Sequence, residues 1–177
     1  IRKMIDFYHE TATENQIKIV NSCGFDSVPS DIGVYYIHKN ISKKNLSIKM
    51  RVTGAKGTYS GGTYASMQNI IKEAYKDMEV RKSLTNPYGL NPKGQQDGLD
   101  KRDLRSVKYD EKIKSWISPF LMAGINTRIV RRSNALSNFS YGKKFQYDEA
   151  VMTGKGVKGR LNGIILSIPL MFLAAKP

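Results

Sequence analysis

The run Cys23-Gly24-Phe25-Asp26-Ser27-Val28-Pro29-Ser30-Asp31-Ile32-Gly33 constrains this chain more than any other stretch of it. Before it, Ile17 to Val20 reads Ile-Lys-Ile-Val, the pattern of a buried strand, and after it Ile32, Val34, Tyr35 and Ile37 form an apolar-periodic stretch. The run is expected to carry the chain from a strand into a helix, with Asp31 capping the helix and Pro29 and Ser30 guiding the chain in. In open α/β sheets such crossings lie at the carboxyl ends of strands, where ligands bind. The stretch is therefore a candidate site by location alone.

The flanking periodicities fill in the rest. Ile1, Ile5, Tyr8 and Ala12 predict a helix over 1–13, so the chain reads as an internal piece of a longer protein, entered in mid-fold. Leu46 to Thr53 alternates, with Leu46, Ile48, Met50 and Val52 on one face and Ser47, Lys49, Arg51 and Thr53 on the other, as in a strand wet on one side. A glycine-rich loop over 54–62 leads to Thr63, read as the cap of a helix with the stripe Tyr64, Met67, Ile71, Ala74, Tyr75 and Met78. Residues 82–114 are polar and aperiodic, with turns at Asn86-Pro87-Tyr88-Gly89 and Asn91-Pro92-Lys93-Gly94, and so predict a long covering or mobile loop. Asn126 is read as the cap of a helix bearing Arg128, Arg131, Arg132 and Leu136, and 144–153 as a second strand of the same sheet. Gly163 to Ala175 is an uncharged tail flanked by Lys155, Lys158, Arg160 and Lys176, too short for a transmembrane helix.

Composition narrows the chemistry. One cysteine excludes an internal disulfide and a multi-cysteine zinc site, and His9 and His38 have no metal-ligand or nucleophile–base spacing, so no metal is expected. The net charge of +14 is uneven: residues 1–40 carry four Lys or Arg against five Asp or Glu, whereas 41–177 carry twenty-five against ten. A basic field of this kind favours an anionic partner such as a membrane surface or a phosphorylated ligand. Nucleic acid ranks last, because aromatic residues are not interleaved with the basic ones and no recognition-helix signature occurs.

Taken in order, Tyr8-His9-Glu10, the Cys23–Gly33 run, Ser60-Gly61-Gly62-Thr63, Asn86-Pro87-Tyr88 and Ile125-Asn126-Thr127-Arg128-Ile129-Val130-Arg131-Arg132-Ser133 resemble the saccharopine dehydrogenase-like oxidoreductases, in the branch of the trans-acting enoyl reductases. The resemblance implies an α/β fold, α+β in its second part. Residues 1–40 would close a Rossmann-like nicotinamide-binding domain, 41–160 would form an inserted substrate or dimerisation domain of mixed sheet and helices, and 161–177 an apolar segment for packing or a membrane interface. The Gly-x-Gly-x-x-Gly phosphate loop of such enzymes is expected upstream and not within this chain, which alone would bind NAD or NADP poorly.

On this resemblance Cys23, Gly24, Phe25, Asp26, Ser27 and Pro29 border the nicotinamide, with Gly24 allowing close approach, Phe25 giving an apolar wall, and Asp26 and Ser27 orienting the carboxamide or substrate. From the residues alone, Asp26 is equally readable as a turn residue. Ser60, Gly61, Gly62 and Thr63 offer backbone amides at a helix start to a carboxylate, thioester oxygen or phosphate, and Arg128 offers a guanidinium to an acidic group. Arg131 and Arg132 are read as serving a solvated face or an anionic surface. Asp26, Tyr59 and Tyr64 are the candidate catalytic groups. The function so expected is hydride transfer to a small-molecule or lipid-linked apolar substrate, in the cytoplasm or peripheral to a membrane, with a homo-oligomer as the expected assembly. The alternative is a non-catalytic membrane- or partner-binding module of the same fold.

Overall fold

The computed structural model describes residues 1–41, 43–54 and 61–175 of the chain. Its elements, in chain order, are α1 (Arg2–Glu14), α2 (Val28–Ile41), β1 (Ser47–Val52), α3 (Gly61–Lys76), α4 (Met78–Thr85), β2 (Lys108–Asp110), β3 (Ser115–Ser118), α5 (Ala123–Leu136), β4 (Gln146–Gly154) and α6 (Gly156–Ala175). Together they make a mixed α/β fold around one four-stranded sheet of order β1-β4-β3-β2. β1 pairs with β4 in parallel, Ser47 opposite Gln146 through Val52 opposite Val151, and the other two pairings are antiparallel. The two strands expected from alternation are thus neighbours, joined by a crossover that holds three helices and a hairpin.

Side chains alternate along a strand, so Tyr147, Glu149, Val151 and Thr153 share one face of β4. Asn126 of α5 donates to Glu149 on that face, and the Thr153 hydroxyl donates to the carbonyl of Gly159 in α6 at 2.8 Å, which places both helices on the same side. Val34 of α2, Val130 of α5, Tyr141, Phe145 and Tyr147 form the core there, with Ile48 and Met50 of β1 packed against it. The other face carries Lys49 and Arg51, and Arg51 is paired with Asp148 and, at 3.1 Å, with Asp110.

Several expectations are corrected. Ile17 to Val20 is not a strand: these residues have no ladder partner among the described residues, and Ile17, Ile19 and Val20 are exposed at 59%, 61% and 74%. Alternation supplies a face, but a strand also needs a neighbour for its backbone groups. Asp31 does not cap α2, which begins three residues earlier at Val28; its carboxylate instead accepts from Ser133 of α5 at 2.8 Å, and burial pushes its pKa up. Likewise α3 starts at Gly61 rather than after Thr63, and α5 starts at Ala123 rather than after Asn126. Residues 82–114 contain the end of α4 and all of β2, and the segment between them is a pinned strap rather than a loose cover. Within it Leu90 and Asn91 are buried, and Asn86 opens an Asx turn, its Oδ1 accepting from the Tyr88 N–H at 2.8 Å.

Two arginines read as solvated hold that strap. Arg131 is 3% exposed and donates to Asp100 at 2.5 Å, to Pro87 O at 3.0 Å and to Tyr147 O at 2.8 Å. Asp100 in turn accepts from the Tyr147 N–H at 3.2 Å, so the pair satisfies both backbone groups of Tyr147 as a neighbouring strand would. Arg132 donates to Leu90 O at 2.6 Å.

A Gly-x-Gly-x-x-Gly spacing does lie within the chain, contrary to expectation: Gly154-Lys155-Gly156-Val157-Lys158-Gly159, between β4 and α6. Gly154 and Gly156 have φ of 108° and 60°, values that favour glycine, and a Cβ on Gly159 would stand 2.3 Å from the Gly154 carbonyl. The context is not that of a dinucleotide fingerprint, which opens a βαβ unit of parallel strands. Here β4 has the antiparallel β3 on its other side, and the glycines let α6 lie against the strand end. The face of α6 turned to the sheet is Gly159, Gly163 and Ser167, all buried, while Val157, Leu161, Ile164, Ile165, Leu166 and Ile168 are exposed. Among the described residues, no helix is long and apolar enough to cross a membrane.

Candidate functional site

The turn entering α2 has two sides of different character. Ser27 and Val28 donate their N–H groups to Gly24 O at 3.2 and 3.0 Å, closing the turn ahead of the helix. Outward, Cys23, Gly24, Phe25, Asp26 and Pro29 are exposed, with Phe25 at 92%. Inward, Ser27 and Ser30 are buried at 2% and 6%. A Cβ on Gly24 would come within 2.4 Å of an Asp26 carboxylate oxygen, so this glycine makes room for the aspartate's own side chain.

Behind the turn lies a polar cluster whose centre is Asn126, which is fully buried. Its Oδ1 accepts from Ser27 Oγ at 2.9 Å; its Nδ2 donates to Asp26 O at 2.8 Å, to Ser30 Oγ at 3.3 Å and to Glu149 Oε2 at 3.1 Å. Tyr147 donates its hydroxyl to Glu149 Oε1 at 2.8 Å. Glu149 is 2% exposed and has no ion-pair partner among the described residues, since the neighbouring Arg128 and Arg131 pair with Asp103 and Asp100. Burial pushes its carboxyl above the ordinary 4.5, and burial and the Glu149 carboxylate together push the Tyr147 phenol far up.

The sign of the resulting pH dependence follows from proton counting. Below the unfolded-state value both states hold the proton on Glu149; as pH rises through it the unfolded chain ionises while the folded chain stays protonated, so stability falls. The loss stops growing once the raised folded-state value is passed. Glu149→Gln is expected to remove this slope, so that denaturant midpoints measured from about pH 4 to pH 8 fall less steeply than in the parent. Parallel profiles for the two proteins would show that Glu149 does not titrate as described.

Of the other sequence candidates, Ser27 turns inward and its hydroxyl is committed to Asn126, so the exposed part of the turn is Cys23 to Asp26 with Pro29. Arg128 is 5% exposed and donates to Asp103 at 2.7 Å, to Leu84 O at 2.7 Å and to Gly124 O at 2.7 Å, which makes it a strut between α5, α4 and the strap. Gly61, Gly62 and Thr63 form the first turn of α3, which packs on α4 and α6. Tyr59 and Ser60 lie outside the described residues, as does the side chain of Tyr64. Among the described residues no group of three or more His, Cys, Asp or Glu is placed to hold a metal ion.

Asn126 and Glu149 were not legible as a pair. The Ile125–Ser133 segment carried a resemblance, yet nothing in one sequence tells that an asparagine and a glutamate 23 positions apart meet behind a turn 100 positions away from the first.

No family model matches the chain, and no solved structure matches it. Curated proteins do. The chain is 39% identical over 168 residues to a protein of Mycobacterium tuberculosis named "Putative trans-acting enoyl reductase", a match covering 89% of this chain and 40% of that protein. It is 34% identical over 169 residues to a trans-acting enoyl reductase of Mycobacterium bovis, and 32% identical over 169 residues to one of Mycobacterium ulcerans, again across 40% of each. Over nearly nine-tenths of its length this chain is similar to proteins named trans-acting enoyl reductase, and it spans about two-fifths of their length.

Proposed function

We propose that this chain is part of a nicotinamide-dependent oxidoreductase of the saccharopine dehydrogenase-like type, an enoyl reductase acting on an apolar or lipid-linked substrate. The observation that carries the reading is the similarity to proteins named trans-acting enoyl reductase along most of the chain. The geometry suits it: the 23–29 turn is fixed from behind by Asn126 and open in front. In this reading residues 1–40 close the nicotinamide-binding domain, 41–160 form the substrate domain, and 161–177 an apolar segment for packing or a membrane interface.

A bound reduced nicotinamide, NADPH or NADH, would supply the hydride. The chain's own residues would position it: Phe25 offers an aromatic face to the ring, and the Cys23, Gly24 and Asp26 backbone and the Asp26 carboxylate line the same edge. The first turn of α3 would receive the thioester oxygen, and Asp26, Tyr59 and Tyr64 are the candidates to place the proton on the carbon next to that carbonyl.

The test uses the full-length polypeptide. Reduced nicotinamide is expected to raise its melting temperature and change its own fluorescence on binding. Phe25→Ala is expected to weaken that binding about five- to tenfold, in line with loss of one aromatic contact of about 1 kcal/mol. Because Phe25 is 92% exposed, the same change leaves the melting temperature of the cofactor-free protein in place. Binding of neither NADPH nor NADH would overturn the reading.

A further inference from the structure

We infer that Asn126 and Glu149 are positioning residues for the 23–28 turn: they clamp the cofactor-facing edge from behind without touching cofactor or substrate. This rests on the function proposed above. Each bond of the cluster ends on the turn or on the group that orients Asn126. The amide of Asn126 reads the turn at three points, Asp26 O, Ser27 Oγ and Ser30 Oγ, and thereby fixes both the last peptide of the turn and the first turn of α2. Glu149 takes one Asn126 N–H, and Tyr147 takes up the other carboxylate oxygen, so the amide cannot flip without losing the Glu149 bond. Of the outward side chains, Cys23 bonds locally, its Sγ donating to Val20 O at 3.6 Å, while Phe25 and Asp26 take their placement from this clamp.

Stability alone does not account for the cluster. A carboxyl buried without a cation costs stability even as it accepts from Asn126 and Tyr147. What an apolar residue cannot do is set the direction of the Asn126 amide, and hence the position of the Asp26 carbonyl. A second bond from Ser133 to Asp31 ties α2 to α5 one turn further on, so α2 as a whole is held and the Asn126 cluster governs its entry.

The experiment titrates reduced nicotinamide against full-length protein carrying Asn126→Ala, Glu149→Ala, Glu149→Gln or Ser27→Ala, with amide hydrogen exchange of residues 24–28 and thermal melting on each. Ile117→Ala, in the buried β3 away from the turn, is the control for destabilisation as such. Asn126→Ala and Glu149→Ala are expected to raise the cofactor Kd about tenfold or more and to speed exchange at 24–28; Ser27→Ala, which removes one bond, about threefold. Glu149→Gln keeps an acceptor for Asn126 and turns the Tyr147 bond around, its Nε2–H donating to the Tyr147 hydroxyl oxygen, and is expected to stay within about twofold of the parent. Ile117→Ala is expected to lower the melting temperature and leave Kd in place.

Equal Kd values in the parent and the two alanine variants, or losses in them no greater than in Ile117→Ala, would overturn the inference alone. Should Asn126→Ala and Glu149→Ala fail to fold, Ser27→Ala decides: an unchanged Kd and unchanged exchange at 24–28 overturn the clamp. Failure of the parent to bind any reduced nicotinamide overturns the proposed function and the positioning role with it.

Discussion

Replacing Arg131 by Ala is expected to lower the unfolding free energy by about 3–5 kcal/mol, the range for removing one partner of a buried ion pair. The guanidinium is 3% exposed and the Asp100 carboxyl it meets is 6% exposed, so neither is screened by water. Arg131 also supplies donors to Pro87 O and Tyr147 O and lies 5.5 Å above the Tyr88 ring. With alanine there, Asp100 keeps its place beside the Tyr147 N–H as a buried charge without a cation, and two carbonyls lose their donors. Lysine at 131 carries the charge but cannot span three acceptors set around a planar fork, and is expected to restore less than half of the loss. Asp100→Asn combined with Arg131→Met removes both charges, and is expected to cost less than the two single changes added together. Urea denaturation of the parent, Arg131→Ala, Arg131→Lys, Asp100→Asn, Arg131→Met and the double variant measures this; an Arg131→Ala protein within about 0.5 kcal/mol of the parent, the scatter of ordinary surface changes, would mean that the strap is not held from α5.

Why Arg131 is misread from sequence shows what a single chain discloses. Its helix is visible: apolar and polar residues recur at helical spacing around 123–136, as they do for α1, α2 and α3. So are β1 and β4, whose alternation also assigns the faces: Ile48 and Met50 join the core, and Ser47 and Lys49 stay exposed. The inward face of α5, however, is largely polar, with Asn126, Thr127, Arg128, Arg131 and Asn134 all buried. Hydropathy gives no sign of this, because the groups that satisfy these side chains include backbone carbonyls of Leu84, Pro87, Gly142 and Tyr147 and a carbonyl of the 23–27 turn. Every residue has a carbonyl, so such partners leave no trace in residue type. The outward edge of the candidate site was legible because a glycine, an aromatic and an aspartate sit together in one short run. Its support was not, since Asn126 belongs to the last helix of the long crossover and Glu149 to the strand that follows it.

Gly159→Val is expected to be the other costly change, with a loss of about 3 kcal/mol or more, at the top of the range for overfilling a packed contact. A Cβ at 159 would lie 2.3 Å from both the carbon and the oxygen of the Gly154 carbonyl, and backbone atoms cannot swing aside as a side chain can. The neighbourhood leaves no easy retreat. One turn on, a Cβ at Gly163 would meet Val107 at 2.9 Å, and the Gly163 carbonyl accepts from Ser118 Oγ at 3.0 Å. Moving α6 outward would therefore break the Thr153–Gly159 and Ser118–Gly163 bonds and leave the fully buried Ser118 hydroxyl without its acceptor. Gly156→Ala probes the same turn differently. Its Cβ would meet open space, so the cost is confined to placing alanine at φ 60°, about 1 kcal/mol. The ordering separates two uses of the same spacing. If these glycines serve the packing of α6 on β4, Gly159→Val is much the worse for stability, measured by denaturant unfolding with hydrogen exchange in α6 and β3. Were Gly156→Ala instead as damaging as Gly159→Val, the close approach of helix to strand would not be what the spacing is for.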